Sequence, residues 1–254
     1  MLIHTSPLPE VEIPDVPLTG YILENAIALG DKPALIDGPS GRTITYAQLD
    51  DLVRRFAGGL IEHGLKPGDV VALMAPNIPE YAVVFHGAAL AGCAITTING
   101  TYTEREVHHQ LTDSGAVVLV TVEPFLDVAK AGVVETDVRK IVVIGEGGDD
   151  VDSIVDWLGE PLAEQVPVTG DTLVALPYSS GTTGVNKGVM LTHRNLVANV
   201  AQVTGAAELR ADEVSIAVLP FFHIYGMQVL MNCGLRVGAT FVTMPRFDLE
   251  EFIK

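Results

Sequence analysis

The sequence is poor in cysteine and in positive charge. It has 2 cysteines among 254 residues, and neither lies in a Cys-x-x-Cys or histidine cluster, so neither a disulfide framework nor a zinc site is indicated. Lysine and arginine number 15 against 32 aspartates and glutamates, which gives a net charge of -17. Such a charge provides no long-range attraction to a phosphate backbone, and nucleic acid is therefore not expected as a partner.

Long hydrophobic runs are also missing. The most apolar stretch, residues 87–98, is too short to span a bilayer. The first lysine or arginine is Lys32, and no apolar run follows an early basic segment, so no signal peptide is predicted. These features favour a protein of the reducing cytoplasm without a membrane span. The sequence does not indicate the oligomeric state.

The sequence has enough apolar residues, 48%, to bury a sizeable core. Four prolines in the first 17 residues predict an extended arm that lies on the surface. A short helix ending near Gly30 is predicted next, and then a hairpin with strands at 34–37 and 43–46.

Strands and helices alternate over the rest of the chain. Apolar residues at steps of three and four predict a helix from Thr45 to Gly64, and Thr103 with Glu106 is a capping-box signature for a helix ending at Gly115. Strands are predicted at 70–74, 94–97, 116–122, 140–144, 173–177, 214–219 and 239–244, and further helices at 79–90, after Pro124, at 195–203 and at 226–235. The alternation predicts an α/β fold in which βα units form largely parallel sheets flanked by helices.

Two segments interrupt this alternation. The acidic residues 145–172 predict a loop region or a seam between subdomains. At the other end Asp248 and Glu251 give the signature of a new helix, but the sequence ends at Lys254 after barely one turn. We therefore interpret the sequence as part of a longer protein.

Residues 178–188 form a loop of glycines and hydroxyl residues between a predicted strand and a predicted helix. Glycines allow a close approach of the backbone, hydroxyl and N–H groups donate to anionic oxygens, and Lys187 supplies a cation. These properties predict a binding site for nucleotide phosphates. A mobile polar linker would have a similar composition, but the embedded lysine and the apolar elements on both sides argue against one.

The loop is not a Walker P-loop. Gly181 and Lys187 have the required spacing, but Asn186 replaces the second glycine and Gly188 removes the hydroxyl that would bind magnesium. A P-loop hydrolase is therefore disfavoured.

Residues 178–195, which read YSSGTTGVNKGVMLTHRN, resemble the phosphate-loop signature of the adenylate-forming enzymes, the superfamily of acyl-CoA synthetases, firefly luciferase and peptide-synthetase adenylation domains. Asn186 stands where this family usually has proline. The resemblance implies that ATP is bound by residues of the loop, namely Ser179, Ser180, Gly181, Thr182, Thr183, Gly184 and Lys187.

The resemblance continues on both sides of the loop. Residues 219–226, LPFFHIYG, are similar to the segment that lines the acyl pocket of 4-coumarate-CoA ligases, and residues 75–80 resemble an early landmark of the nucleotide domain. From the residues alone, His223 would be a satisfied core histidine and Arg246 a solvated charge at a strand end. The resemblance implies instead that His223 has a catalytic role beside the substrate carboxylate, that Tyr225 and Val229 shape the acyl pocket, and that Arg246 contacts a phosphate of coenzyme A.

The resemblance implies an ATP-dependent acyl- or aryl-CoA ligase. Such an enzyme uses ATP and Mg²⁺ to convert a carboxylic acid into an acyl adenylate, and then transfers the acyl group to coenzyme A. The resemblance does not decide between an aryl acid and a fatty acid as the substrate. No metal ligand is predicted within the chain. Residues 1–254 would be the N-terminal part of the large AMP-binding domain, and weak or inactive alone because the family's Tyr-Gly-x-Thr-Glu segment and C-terminal domain are not among them. The alternative is a non-catalytic module that binds a nucleotide or an acyl group.

Overall fold

The computed structural model describes residues 10–180 and 186–253. Its strands are β1 Pro33–Asp37, β2 Thr43–Thr45, β3 Val70–Met74, β4 Ala94–Thr97, β5 Ala116–Thr121, β6 Lys140–Val143, β7 Asp152–Ser153, β8 Leu173–Ala175, β9 Tyr178–Ser180, β10 Asn186–Gly188, β11 Leu191–Thr192, β12 Val214–Ala217 and β13 Thr240–Thr243. Its α-helices are α1 Leu18–Ile22, α2 Ala26–Leu29, α3 Tyr46–Glu62, α4 Glu80–Leu90, α5 Glu104–Ser114, α6 Leu126–Gly132, α7 His193–Ala206, α8 Cys233–Val237 and α9 Leu249–Ile253.

A seven-stranded sheet organises the molecule. Its strand order is β11-β8-β4-β3-β5-β6-β7, and every neighbouring pair is parallel except β11 and β8. Both faces are covered, which explains why β3 and β5 are buried along their whole length and are apolar except for Thr121. Val71 and Leu73 point toward α3 and α4, whereas Ala72 and Met74 point toward α5 and α6. The predicted α/β fold is confirmed.

The order of strands in this sheet reverses at β3. Strand β4 lies on one side of β3 and β5 on the other, so the connection from β4 to β5 crosses β3. Ligands of open α/β sheets bind beyond the carboxyl ends of the strands at such a reversal. Residues 75–77 follow β3 and residues 99–101 follow β4 at this edge.

Local signals in the sequence account for the best-predicted helices. In α3, Thr45 Oγ1 accepts the N–H of Gln48 and the Gln48 side chain accepts the N–H of Thr45. Thr103 and Glu106 form the predicted capping box of α5, and Gly115 ends that helix in the left-handed conformation. Each box satisfies backbone N–H groups that have no partner inside the helix.

The predicted N-terminal hairpin is confirmed, but it belongs to a larger sheet. Strands β1 and β2 pair antiparallel, and β1 also pairs in parallel with β13, with Leu35 opposite Phe241. Strand β12 lies on the far side of β13, which completes a four-stranded sheet in the order β12-β13-β1-β2.

Several element boundaries differ from the predictions. The helix before Gly30 is two short helices, α1 and α2, and α7 begins at His193 because the Thr192 side chain caps it. The predicted helix at 226–235 begins as a π-helix, Gly226–Asn232, and continues as α8 to Val237. A Cβ at position 226 would lie 2.1 Å from the Pro220 carbonyl oxygen, so only glycine fits at the first residue of this helix.

The acidic segment 145–172 contains β7 and a 3₁₀ turn, Ile154–Trp157, and it packs on α3 and α4. Trp157 is buried and stacks on the His63 ring with the ring centroids 4.0 Å apart. Arg54 of α3 donates to the carbonyls of Leu162 and Ala163. A role of this segment as a seam between subdomains stays a prediction.

None of the helices within residues 10–180 and 186–253 is both long and apolar enough to cross a membrane.

Candidate functional site

The predicted phosphate loop stands on an antiparallel hairpin. Strand β9 pairs with β10 in a register that places Ser179 opposite Lys187 and Tyr178 opposite Gly188. Ser179 and Lys187 are both exposed. Residues directly opposite each other project to the same face, so the hydroxyl and the ammonium group are neighbours.

The tip of this loop is not part of the described structure. The predicted ATP-binding residues Gly181, Thr182, Thr183 and Gly184 lie outside the described residues. For Ser180 the structure gives the backbone pairing, opposite Asn186 in the ladder.

Gly188, which distinguishes the loop from a Walker motif, has a packing role. A Cβ at this position would lie 3.1 Å from the ring of Tyr178 on the neighbouring strand. That ring is held in place, because Tyr178 Oη donates to Asp113 Oδ2 at 2.5 Å. Burial and the Asp113 carboxylate both raise the pKa of Tyr178. The glycine therefore lets the tyrosine lie across the base of the hairpin.

Helix α7 follows the hairpin and begins at a buried histidine. Thr192 and Asn195 form a capping box at its start. His193 is 1% exposed, and its Nδ1 accepts the N–H of Leu18 at 3.0 Å. Burial lowers the pKa of His193 to about 4. The neutral ring thus fixes α7 against α1.

One cavity brings together the three residues predicted to bind the carboxylic acid. It has a volume of about 420 Å³, and it is lined by Leu191, Asn195, Leu196, Asn199, His223, Ile224, Tyr225, Gln228 and Val229. His223 and Tyr225 are exposed and Val229 is half-buried. His223 is therefore not the core histidine that its apolar neighbours alone suggest.

Two polar side chains of the seven-stranded sheet hold the backbone just before His223. Asn77, which follows β3, donates to the carbonyls of Ala217 and Leu219 and accepts the N–H of Phe221. Thr97 Oγ1, at the end of β4, donates to the Phe222 carbonyl at 2.8 Å. The carboxyl ends of β3 and β4 thus fix where His223 enters the cavity.

The floor of the same cavity is a buried amide network. Gln228 is 2% exposed, and its Nε2 donates to the Leu196 carbonyl and to Asn199 Oδ1. Its Oε1 accepts from Asn232 Nδ2. Both ends of the Gln228 amide are therefore satisfied within the protein, and the π-helix that carries it leaves Val229 facing the cavity.

A second cavity lies at the edge where the strand order reverses. Its volume is about 530 Å³, and Arg246 lines it together with Asn77, Asn99 to Thr101, Phe125, Phe222 and Phe247. Arg246 is exposed and also borders a neighbouring cavity of about 680 Å³ that Phe252 and Pro39 line. The guanidinium group thus stands at the rim of two openings that could admit a long ligand.

Within the part of the chain that the structure describes, no three His, Cys, Asp or Glu side chains are grouped so that they could hold a metal ion. Magnesium commonly keeps several waters and is bound largely through substrate phosphates. The described residues therefore supply no protein cage for it.

Comparison with known proteins decides the family. The family model described as AMP-binding enzyme matches residues 23–254, which is nearly the whole chain. The chain belongs to this family. The resemblance found in residues 178–195 is thereby confirmed.

Several proteins similar to this chain are CoA ligases. It is 39% identical to 4-coumarate--CoA ligase 1 of Petroselinum crispum over 260 residues, which cover 100% of this chain and 48% of that protein. The fold matches a long-chain-fatty-acid-CoA ligase (FadD1) from Archaeoglobus fulgidus with a TM-score of 0.88, at 26% identity, covering 98% of this chain and 51% of the other. It also matches the anthranilate CoA ligase AuaEII in complex with anthranoyl-AMP, with a TM-score of 0.84 at 25% identity, over 92% of this chain and 46% of that one. The chain spans about half the length of the curated relatives it matches.

Four residues that support this candidate site were not predicted to do so. Tyr102 and His109 contact Asn186 at the base of the hairpin. Asn77 and Gln228 bond to backbone at sites distant in sequence. A single sequence gives no signal for such pairings.

Proposed function

We propose that the protein containing this chain is an ATP-dependent acyl- or aryl-CoA ligase. It would activate a carboxylic acid with ATP to an acyl adenylate, release pyrophosphate, and transfer the acyl group to the thiol of coenzyme A. The family membership and the CoA ligases among its relatives support this function.

One observation carries the proposal. His223, Tyr225 and Val229 line a single open cavity, and residues of helix α7, which follows the phosphate-loop hairpin after β11, line the same cavity. A carboxylic acid in this cavity would lie close to a nucleotide held at the hairpin.

In the first step, charge develops on the phosphates as pyrophosphate departs. The exposed Lys187 ammonium group would stabilise that charge, with the neighbouring Ser179 hydroxyl as a further donor. The predicted residues Ser180, Gly181, Thr182, Thr183 and Gly184 complete the proposed ATP site. Mg²⁺ would enter bound to the triphosphate, since this ion is commonly held through substrate phosphates.

His223 would stand beside the carboxylate as an aromatic wall that excludes water and orients the acid for attack on the α-phosphate. Its backbone is fixed by the bonds of Asn77 and Thr97 to residues 219–222. Such positioning favours the chemical step because the reacting atoms are held in one geometry.

Coenzyme A would use the cavity at the strand ends. Arg246 at its rim could pair with a phosphate, and the apolar Phe125, Phe222 and Phe247 offer surface for the rest of the molecule. The names of the relatives cover both aromatic and fatty acids, so both belong in the substrate panel. We place the protein in the cytoplasm, since both cysteines are free and buried, as suits a reducing compartment.

Exchange of pyrophosphate into ATP tests the proposal. The whole protein should exchange isotope in the presence of a cinnamate or a fatty acid. The Lys187→Ala variant should lose about 100-fold or more of this rate, since a donor to developing charge contributes at least that much. Lys66→Ala, which removes another exposed lysine, is the matched control and should retain the rate. Undiminished exchange in Lys187→Ala would contradict the proposed phosphate site, and ATP binding without exchange for any acid would favour a non-catalytic binding module.

A further inference from the structure

Helix α5 and the residues before it hold the base of the phosphate-loop hairpin through three contacts. Tyr178 Oη donates to Asp113 Oδ2 at 2.5 Å. Asn186 Nδ2 donates to Tyr102 Oη at 2.7 Å. His109 Nε2 lies 3.2 Å from the Asn186 carbonyl oxygen. Both strands of the hairpin are thus attached to one neighbouring helix.

The alternation of side chains separates this attachment from the ligand face. Tyr178 and Asn186 face α5, as their contacts show. Ser179 and Lys187 are the next residues along each strand, and neighbouring side chains of a strand point to opposite faces. Lys187 therefore takes no part in the contacts with α5, and its side chain points to the face proposed for the phosphates.

The Tyr102 hydroxyl is a well-supported anchor. Its ring is half-buried and packs against the core cluster that includes Val107 and Leu111 of α5. The hydroxyl is therefore fixed by the core rather than by the loop. Asn186 is also half-buried, and so its hydrogen bond to this hydroxyl is partly shielded from water.

We propose that Tyr102 and Asn186 form a positioning pair, which orders the hairpin and so orients Lys187 toward the phosphates of ATP. The pair acts through Lys187, the next residue in the chain, and touches no ligand itself. This inference rests on the proposed function, because it assigns the pair to the same ATP site.

A double-mutant cycle measures the coupling between the two side chains. Tyr102→Phe removes only the hydroxyl. Asn186→Ala removes only the side-chain amide and leaves the backbone carbonyl that faces His109. Each single variant should weaken ATP binding about five-fold, the usual worth of one hydrogen bond, and the double variant should be no weaker than either single one. The dissociation constant for ATP is measured by calorimetry. In the whole protein, transfer of a supplied acyl adenylate to coenzyme A should be unchanged.

Amide hydrogen exchange provides a readout that does not need ATP. Exchange of the amides at 178–180 and 186–188 should be faster in Tyr102→Phe and in Asn186→Ala than in the unaltered protein. Tyr46→Phe is the matched control, because Tyr46 also loses a hydrogen bond, to the Ala239 carbonyl at 2.6 Å, but in the four-stranded sheet. It should change neither the exchange at the hairpin nor the affinity for ATP.

Two results would overturn the pair. In the first, the losses of ATP affinity of the two single variants add up in the double variant. In the second, amide hydrogen exchange at the hairpin is equally fast in Tyr102→Phe and in the unaltered protein. Absence of ATP binding by the unaltered protein is a different failure, since it would remove the proposed function, and the exchange data would then still decide whether the pair orders the hairpin.

Discussion

Asn77 accepts the backbone N–H of Phe221 at 2.8 Å, and its amide also donates to the carbonyls of Ala217 and Leu219. Asn77 follows β3 of the seven-stranded sheet, whereas Phe221 follows β12 of the four-stranded sheet. One buried side chain thus joins the two sheets two residues before His223, and the position of the proposed acid pocket depends on it.

We expect Asn77→Ala to lower the free energy of unfolding by about 3 kcal/mol, because it leaves a buried N–H and two carbonyls without their partner. Urea unfolding measures this change. Asn25→Ala is the control, since Asn25 is exposed and makes no side-chain cap to α2. It should stay within about 0.5 kcal/mol of the unaltered protein. Equal stability of the two variants would contradict the conclusion that Asn77 joins the two sheets.

Substitution of His223 separates two roles for its ring. We expect His223→Ala to slow acyl-adenylate formation by about 100-fold, because the acid is no longer held in line with the α-phosphate. His223→Phe keeps an aromatic wall and should retain most of the rate. Pyrophosphate exchange measures both variants. Equal losses in the two would indicate that the imidazole nitrogens take part, and the wall would be the wrong explanation.

Arg246 should matter only for the second half-reaction. We expect Arg246→Ala to raise the KM for coenzyme A about ten-fold, which corresponds to the loss of one hydrogen bond to a charged group. The exchange of pyrophosphate into ATP, which needs no coenzyme A, should be unchanged. Arg139→Ala removes another exposed guanidinium and should have no effect on either reaction. A loss of ATP exchange in the Arg246 variant would place this residue at the nucleotide instead.

Buried histidines should make the fold sensitive to acid. Burial lowers the pKa of His193 to about 4, below its ordinary value of 6.5, so the unfolded chain binds a proton more readily than the folded one between these values. Stability is therefore present above pH 6.5 and lost as the pH falls toward 4. A single such group should cost about 2 kcal/mol between pH 7 and pH 5.

The His193→Asn variant tests the assignment. Asparagine can still accept the Leu18 N–H, but it does not titrate. Its unfolding free energy should fall less steeply between pH 7 and pH 5, and the remaining slope should include His86, whose pKa burial also lowers to about 4. An unchanged slope would show that His193 is not responsible.

The sequence predicted best what local chemistry determines. The capping residues of α5, its glycine end and the apolar strands β3 and β5 all carry their own signals, and the structure confirms them. The pairing of β1 with β13 was not predicted, because it joins residues about 206 positions apart and no local pattern encodes a partner at that distance. The π-helix Gly226–Asn232 was predicted only as part of a helix at 226–235, not as a π-helix.

The candidate site was only partly accessible from the residues. The composition of 178–188 indicated a phosphate loop, but the roles of His223, Tyr225, Val229 and Arg246 came from resemblance. The structure brings the first three into one cavity and places Arg246 at another. Their functions stay predictions until the variants above are measured.

The parallel pairing of β1 with β13 has a consequence for biosynthesis. Residues 33–37 leave the ribosome early, but their partner at 240–243 is made some 200 residues later. Until then β1 has an unpaired edge, and such an edge is prone to associate with other chains. Newly made protein should therefore depend on chaperones over this interval, and a nascent chain stalled before residue 240 should aggregate more readily than one that has passed it.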